Sequence, residues 1–165
     1  MTLHPHHSDS PTLANLGAAF ADEAASHVKY LHFATLCREQ GDEETARLFE
    51  ETAKQELKHA LAHVELLYPR SQLTPQHVLE MAIEGEAHEY STMYPSFRDA
   101  ALAEGEALAA AGTDSRQDES DTRSEDFRKL LALAAKRFAA LTGVERRHCE
   151  HYRAALAATN STTDK

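Results

Sequence analysis

Phe49-Glu-Glu-Thr-Ala-Lys-Gln-Glu56-Leu-Lys-His59 returns, in its spacing, as Phe138-Ala-Ala-Leu-Thr-Gly-Val-Glu145-Arg-Arg-His148. In both stretches the Phe lies seven residues, two helical turns, before a Glu, and a His follows that Glu by three. An i, i+3 spacing sets Glu and His on one helix face, about 5 to 6 Å apart at Cβ. Each stretch has an upstream segment that also ends in Glu: Ala19-Phe-Ala-Asp-Glu23 and Ala82-Ile-Glu-Gly-Glu86. The chain therefore reads as a duplicated helical hairpin, with a carboxylate on one helix and a Glu/His pair on the next. Folding the halves together by a pseudo-twofold brings Glu23, Glu56, His59, Glu86, Glu145 and His148 to one point. That is the ligand set of a carboxylate-bridged two-metal site inside an all-α four-helix bundle.

Burial logic supports the metal reading. A buried carboxylate is costly unless it is paired or holds a cation, and core-facing stripes rarely carry Glu. Yet Glu23 shares its stripe with Leu16, Phe20 and Tyr30, and Glu145 shares one with Phe138, Leu141 and Tyr152,. Carboxylates with one imidazole per ion suit iron or manganese better than a structural zinc site. One E-x-x-H in a helix rich in Glu and His is a common surface accident; two at matching repeat positions, each with its upstream Glu, are not.

At 165 residues the chain has the size of one domain, and six Gly with five Pro leave helices little interrupted,. The net charge of −10 and the lack of a basic patch exclude a nucleic-acid binder,. No apolar run reaches the ~18 residues of a membrane span, and Met1 to Pro11 is polar and His-rich, unlike a secretory leader. A cytoplasmic location is the default expectation. Cys37 and Cys149 have no C-x-x-C spacing and read as free thiols in a reducing compartment,.

Residues 1–11 read as a disordered tail and 12–158 as the helical domain, with 159–165 fraying. The first helix is expected from about Thr12 to Glu39, stopped near Gly41. Asp42 caps a second, from about Glu43 to Leu67. Tyr68 to Pro75 breaks the pattern. A third helix is expected from about Gln76 to Glu104, kinked by Pro95 and stopped by Gly105. Gly41 lies fifteen residues before Glu56 but Gly105 lies forty before Glu145, so the second turn carries about 25 extra residues. Gly112 to Asp126, without an apolar side chain, reads as a mobile polar loop, and the fourth helix is expected from about Phe127 to Ala158.

Asn15 to Glu23, Phe49 to His59 and above all Ala82-Ile-Glu-Gly-Glu-Ala-His-Glu-Tyr-Ser-Thr-Met-Tyr-Pro95 resemble the rubrerythrins, a family of ferritin-like di-iron proteins. The resemblance covers about residues 13 to 157 apart from the long second turn. It implies a ferritin-like bundle holding two iron ions, with manganese or a mixed pair as alternatives. The implied metal ligands are Glu23, Glu56, His59, Glu86, Glu89, Glu145 and His148. Glu89 is the discriminating seventh: the resemblance implies that it holds one iron in the oxidised state, and that this iron moves toward His59 on reduction. Tyr30 and Tyr94 match family tyrosines that hydrogen-bond the site, although a plain core role would account for either.

The implied activity is that of a peroxidase reducing hydrogen peroxide to water in oxidative-stress protection. In it Glu89, His59, Tyr30 and Tyr94 act as catalytic residues and no organic cofactor takes part. A ferroxidase or iron-storage role is the alternative. Full-length members carry a C-terminal rubredoxin domain, whose four cysteines this sequence lacks; electrons are then expected from a separate donor such as a rubredoxin or reductase. Two further departures are Asp22, where the family has Gly, and Gly143, whose presence in a helix suggests a close approach or local bulge near the site. His63 reads as a neighbour of the ligands, while His27, His32, His77, His88 and His151 read as surface or packing residues. The eight residues Tyr68 to Pro75 span roughly 26 Å when fully extended,. That reach barely covers the return along a bundle, so a homodimer that exchanges its hairpins is expected.

Overall fold

Gly41 turns the first hairpin by adopting a φ of 83°, a conformation open to glycine and strained for other residues. Its N–H donates to Arg38 O, and that of Asp42 to Cys37 O, both at 3.0 Å. This pair of bonds is a Schellman motif, which satisfies the last carbonyls of one helix. Asp42 then caps the next, its Oδ1 accepting from Thr45 N at 3.0 Å,. Helix α1 spans Pro11–Glu39 and α2 spans Glu43–Leu67, within a residue of the sequence expectation. At the start of α1 the Ser10 hydroxyl caps Leu13 N, and Pro11 takes the first turn,.

The computed structural model describes residues 9–111 and 118–163. Most of the tail expected over 1–11, the opening of the polar segment (112–117) and the last two residues lie outside the described range. The helices group into two units that divide between Leu73 and Thr74. The fold class is all-α, that of the ferritin-like bundles, and no strand occurs among the described residues.

In the first unit α1 packs along α2. The seam is made of small residues: Ala46, Ala53 and Ala60, seven apart on α2, are 0%, 0% and 3% exposed, and Ala34 of α1 is buried as well. Alanine at a helix contact lets the axes come to the short end of the usual 8–10 Å range. Tight approach is what places groups on α1 within reach of groups on α2.

The second unit opens with Thr74, whose hydroxyl accepts from His77 N at 3.2 Å. Helix α3 spans Pro75–His88, Glu89–Met93 wind as a π-helical turn, α4 spans Tyr94–Ala111 and α5 spans Asp118–Thr163. The sequence suggests a kink at Pro95. The structure instead widens the helix just before it, with Tyr94 N–H donating to Glu89 O five residues back. Proline has no N–H to offer and its ring crowds the carbonyl four residues earlier; one wider turn removes that conflict.

Gly105 does not end the third helix. Leu108, beyond it, packs against the buried cluster Ala101, Leu131 and Ala135, and this packing outweighs the ~1 kcal/mol that a mid-helix glycine costs. The fourth helix begins at Asp118 rather than near Phe127. A polar sequence need not be a loop: Lys129 pairs with Glu125 at 2.9 Å one turn away, a contact that favours helix without a core. Gly143 has no close neighbour, since a Cβ there would meet only Arg147 Nη1 at 3.8 Å. Neither the close approach nor the bulge suggested by sequence occurs there among the described residues. Both cysteines are free, and no helix among the described residues is long and apolar enough to cross a membrane.

Candidate metal centre

In the first unit the seam of alanines brings Glu23 of α1 against Glu56 and His59 of α2. His59 Nδ1 lies 3.1 Å from Glu56 Oε2 and 3.6 Å from Glu23 Oε2. One donor atom from each of the three falls within 4.8 Å of the others. His27, read from sequence as surface or packing, ties the two helices together beside this cluster: its Nδ1 sits 2.7 Å from Ala53 O. Ala53 is fully buried and carries no bulk, so the imidazole can reach the backbone.

The second unit repeats the arrangement. His148 Nδ1 lies 2.8 Å from Glu145 Oε2 and 3.5 Å from Glu86 Oε2, and the three again offer donors within 4.8 Å. Cys149, at the repeat position of Ala60, is fully buried, with its Sγ 3.7 Å from Ile83 O. It fills the seam and is no part of the donor cluster.

Behind each cluster stands a matching aromatic triad. Tyr30 and Phe33 pack on Phe49 with ring centroids 5.7 and 5.5 Å away; Tyr94 and Phe97 pack on Phe138 at 6.0 and 5.6 Å. Tyr30 follows Glu23 by seven residues, whereas Tyr94 follows Glu86 by eight. The π turn between them absorbs the extra residue and restores the same packing. Glu89 is the first residue of that turn. Phe33 and Phe97 escape a search at fixed spacing because of this one-residue offset.

The electrostatics of the clusters follow from crowded carboxylates. In the first unit Glu23 and Glu56 share a hydrogen bond, which raises Glu23 from the ordinary carboxylate value and lowers Glu56. In the second, burial raises Glu86, and the charges of Glu145 and then Glu89 add to the effect against the lowering by His148. Burial likewise pushes the Tyr94 phenol up, aided by Glu89, Glu145 and Glu86. Such carboxylates await a positive charge.

The residues present fit a metal. Each cluster offers two carboxylates and an imidazole, a donor set suited to iron or manganese. Glu145 is only 8% exposed. Glu86 Oε2 is buried with no hydrogen-bond partner among the described residues, an arrangement that costs free energy unless a cation supplies the missing contact.

Of the seven ligands expected from sequence, six appear as two groups of three, each inside its own unit. Glu89 acts on Glu86 and Tyr94 through its charge but stands outside the donor group. Tyr30 and Tyr94 both line the aromatic triads rather than standing free.

Comparison with known proteins bears on the same residues. The family model for rubrerythrin matches residues 14–131, a span that holds Glu23, Glu56, His59, Glu86 and Glu89 and ends before Glu145 and His148. The chain is 40% identical over 110 residues to nigerythrin of Nitratidesulfovibrio vulgaris, over 59% of this chain and 54% of that protein. It is 33% identical over 112 residues to rubrerythrin of Clostridium perfringens, over 57% of this chain and 56% of the relative. Against rubrerythrin of Porphyromonas gingivalis it is 30% identical over 137 residues, 76% of this chain and 67% of the other. The chain thus spans a little over half the length of the first two relatives.

Proposed function

The chain belongs to the rubrerythrin family, and from that premise we propose that it is a non-haem di-iron peroxidase, reducing hydrogen peroxide to water with electrons from a redox donor. The observation that carries the reading is the twofold Glu/Glu/His cluster, each copy backed by the same Tyr/Phe/Phe triad. When bound, the iron pair supplies the two electrons that cleave the O–O bond, and its reduction is the task of the donor.

The chain's own side chains do the rest. Glu23, Glu56 and His59 of the first unit, and Glu86, Glu145 and His148 of the second, would hold the ions. Glu89, at the head of the π turn, would be the seventh ligand, and a carboxylate free to leave would give peroxide access to the ions. Tyr94 keeps its proton because burial and three nearby carboxylates disfavour the phenolate, so its hydroxyl can donate a hydrogen bond to substrate. Turning one peroxide into two waters takes two electrons and two protons. The crowded carboxylates and Tyr94 are the groups placed to relay the protons.

For assembly, we propose a homodimer in which α1 and α2 of one chain complete a centre with α3 to α5 of the other. Arg70–Gln72 form a 3₁₀ turn within the connection, which rises about 2 Å per residue against ~3.3 Å for extended chain. The reach of Tyr68 to Pro75 is then shorter than its extended limit. Leu57 and Leu61, flanking His59, are 43% and 52% exposed, an apolar surface that a second copy would cover.

Stopped-flow mixing of the diferrous protein with peroxide or dioxygen tests the activity. Faster oxidation by peroxide is expected; faster oxidation by dioxygen would sink the peroxidase reading.

A further inference from the structure

We propose that each unit binds one divalent metal ion by itself, through Glu23, Glu56 and His59 in the first and Glu86, Glu145 and His148 in the second. The centre then loads by two independent events, before or without the union of the halves. The inference rests on the two-metal reading above and adds to it the order in which metal and assembly meet.

Three observations support autonomy. Both clusters are gathered by contacts internal to their own unit: the histidine-to-carboxylate distances are 3.1 and 3.6 Å in one and 2.8 and 3.5 Å in the other. Two ligands at right angles on one ion, each about 2.1 Å from it, stand about 3 Å apart. The clusters therefore already hold nearly the spacing an ion requires. Next, the charge closes locally. Two carboxylates and a neutral imidazole, the form in which these groups ligate, carry −2, which one divalent cation neutralises with no help from the other unit. Finally, the scaffold that fixes the donors is also internal. The alanine seam, the His27 to Ala53 O contact and the Tyr30/Phe33/Phe49 triad all lie in the first unit. The Tyr94/Phe97/Phe138 triad and the Cys149 seam lie in the second. Glu86 Oε2, buried with no hydrogen-bond partner among the described residues, lies 3.5 Å from His148 Nδ1, beside the donors a cation in this unit would share.

Independent loading has a chemical consequence. A chain that carries its ion before pairing brings two neutralised clusters together, whereas two empty clusters would bring four carboxylates to one point against their mutual repulsion. Metal binding within the units thus favours formation of the joined centre rather than only following it.

The test uses the metal-free full chain and Mn(II), which binds such donors without redox chemistry. Bound metal is measured after gel filtration, and electron paramagnetic resonance reports whether ions are isolated or spin-coupled. Wild type should take up two equivalents, with the six-line signal of isolated Mn(II) dominating at substoichiometric metal and a coupled signal growing toward saturation. Glu23→Ala/His59→Ala and Glu86→Ala/His148→Ala should each retain one equivalent, uncoupled, with helical content unchanged by circular dichroism. A coupled signal from the first additions to wild type would overturn autonomy without recourse to a variant. So would loss of both equivalents from a folded double variant. Wild type that holds no metal would instead remove the two-metal reading and this inference with it.

Discussion

Removing the Glu89 carboxylate should separate metal binding from turnover. Glu89 lies outside both three-donor groups, so Glu89→Ala is expected to keep two ions per site while peroxide turnover falls roughly 10- to 100-fold, the usual range for residues that tune a metal site. Unchanged turnover with full metal would end the seventh-ligand assignment. Protons compete with metal at the same scale. Glu23 and Glu86 have raised values, so in the metal-free chain their contribution to stability is fully present below the ordinary value of 4.5 and is lost as pH rises through the raised one. Glu56 runs the other way: its lowered value gives stability present above 4.5 and lost as pH falls through it. An incoming cation displaces the protons on Glu23 and Glu86, so metal binding should release more protons at about pH 5 than at pH 7. Infrared absorption of protonated carboxyl groups reads those protons separately from imidazole protons, and a band unchanged by metal at about pH 5 would mean the carboxyls are already ionised.

Among the elements, α5 offers a clean test in Gly143. It has helical surroundings and room for a methyl group, with Arg147 Nη1 at 3.8 Å the nearest atom to a Cβ. Gly143→Ala should stabilise the protein by about 1 kcal/mol in urea unfolding. Destabilisation would reveal a helix packed against that position in the assembled protein. The helices also show where sequence reading succeeds. Turn residues act locally, so Gly41 and Asp42 place the α1/α2 turn to the residue. Gly105 and the polar stretch 118–126 mislead because their local preferences are weak and are overridden, by the packing of Leu108 and by Glu125 to Lys129 pairing. The π turn is legible only in hindsight, as the one-residue difference between Glu23 to Tyr30 and Glu86 to Tyr94.

For the whole molecule, the exchanged dimer predicts complementation between dead chains. Glu56→Ala and Glu145→Ala should each hold fewer than two ions per centre, since each removes a bridging carboxylate. Unfolded and refolded together, the two variants should form heterodimers in which one centre regains all its ligands. If the centre instead forms within one chain, each polypeptide carries its own lesion, and mixing recovers no metal binding.

Two Glu/His pairs at matched spacing, each with its upstream Glu, were enough to specify an all-α chain and to name the six residues that meet as two clusters. They are readable because helix periodicity converts spacing into a shared face, and because duplication makes chance improbable. Folding alone decided how those residues meet: that His59 and His148 already contact both carboxylates of their own unit, that Glu86 Oε2 is buried without a hydrogen-bond partner among the described residues, and that His27 reaches Ala53 O. Such facts depend on how near two helices come, and that distance is set by the alanines buried between them, whose small size marks no function in the sequence.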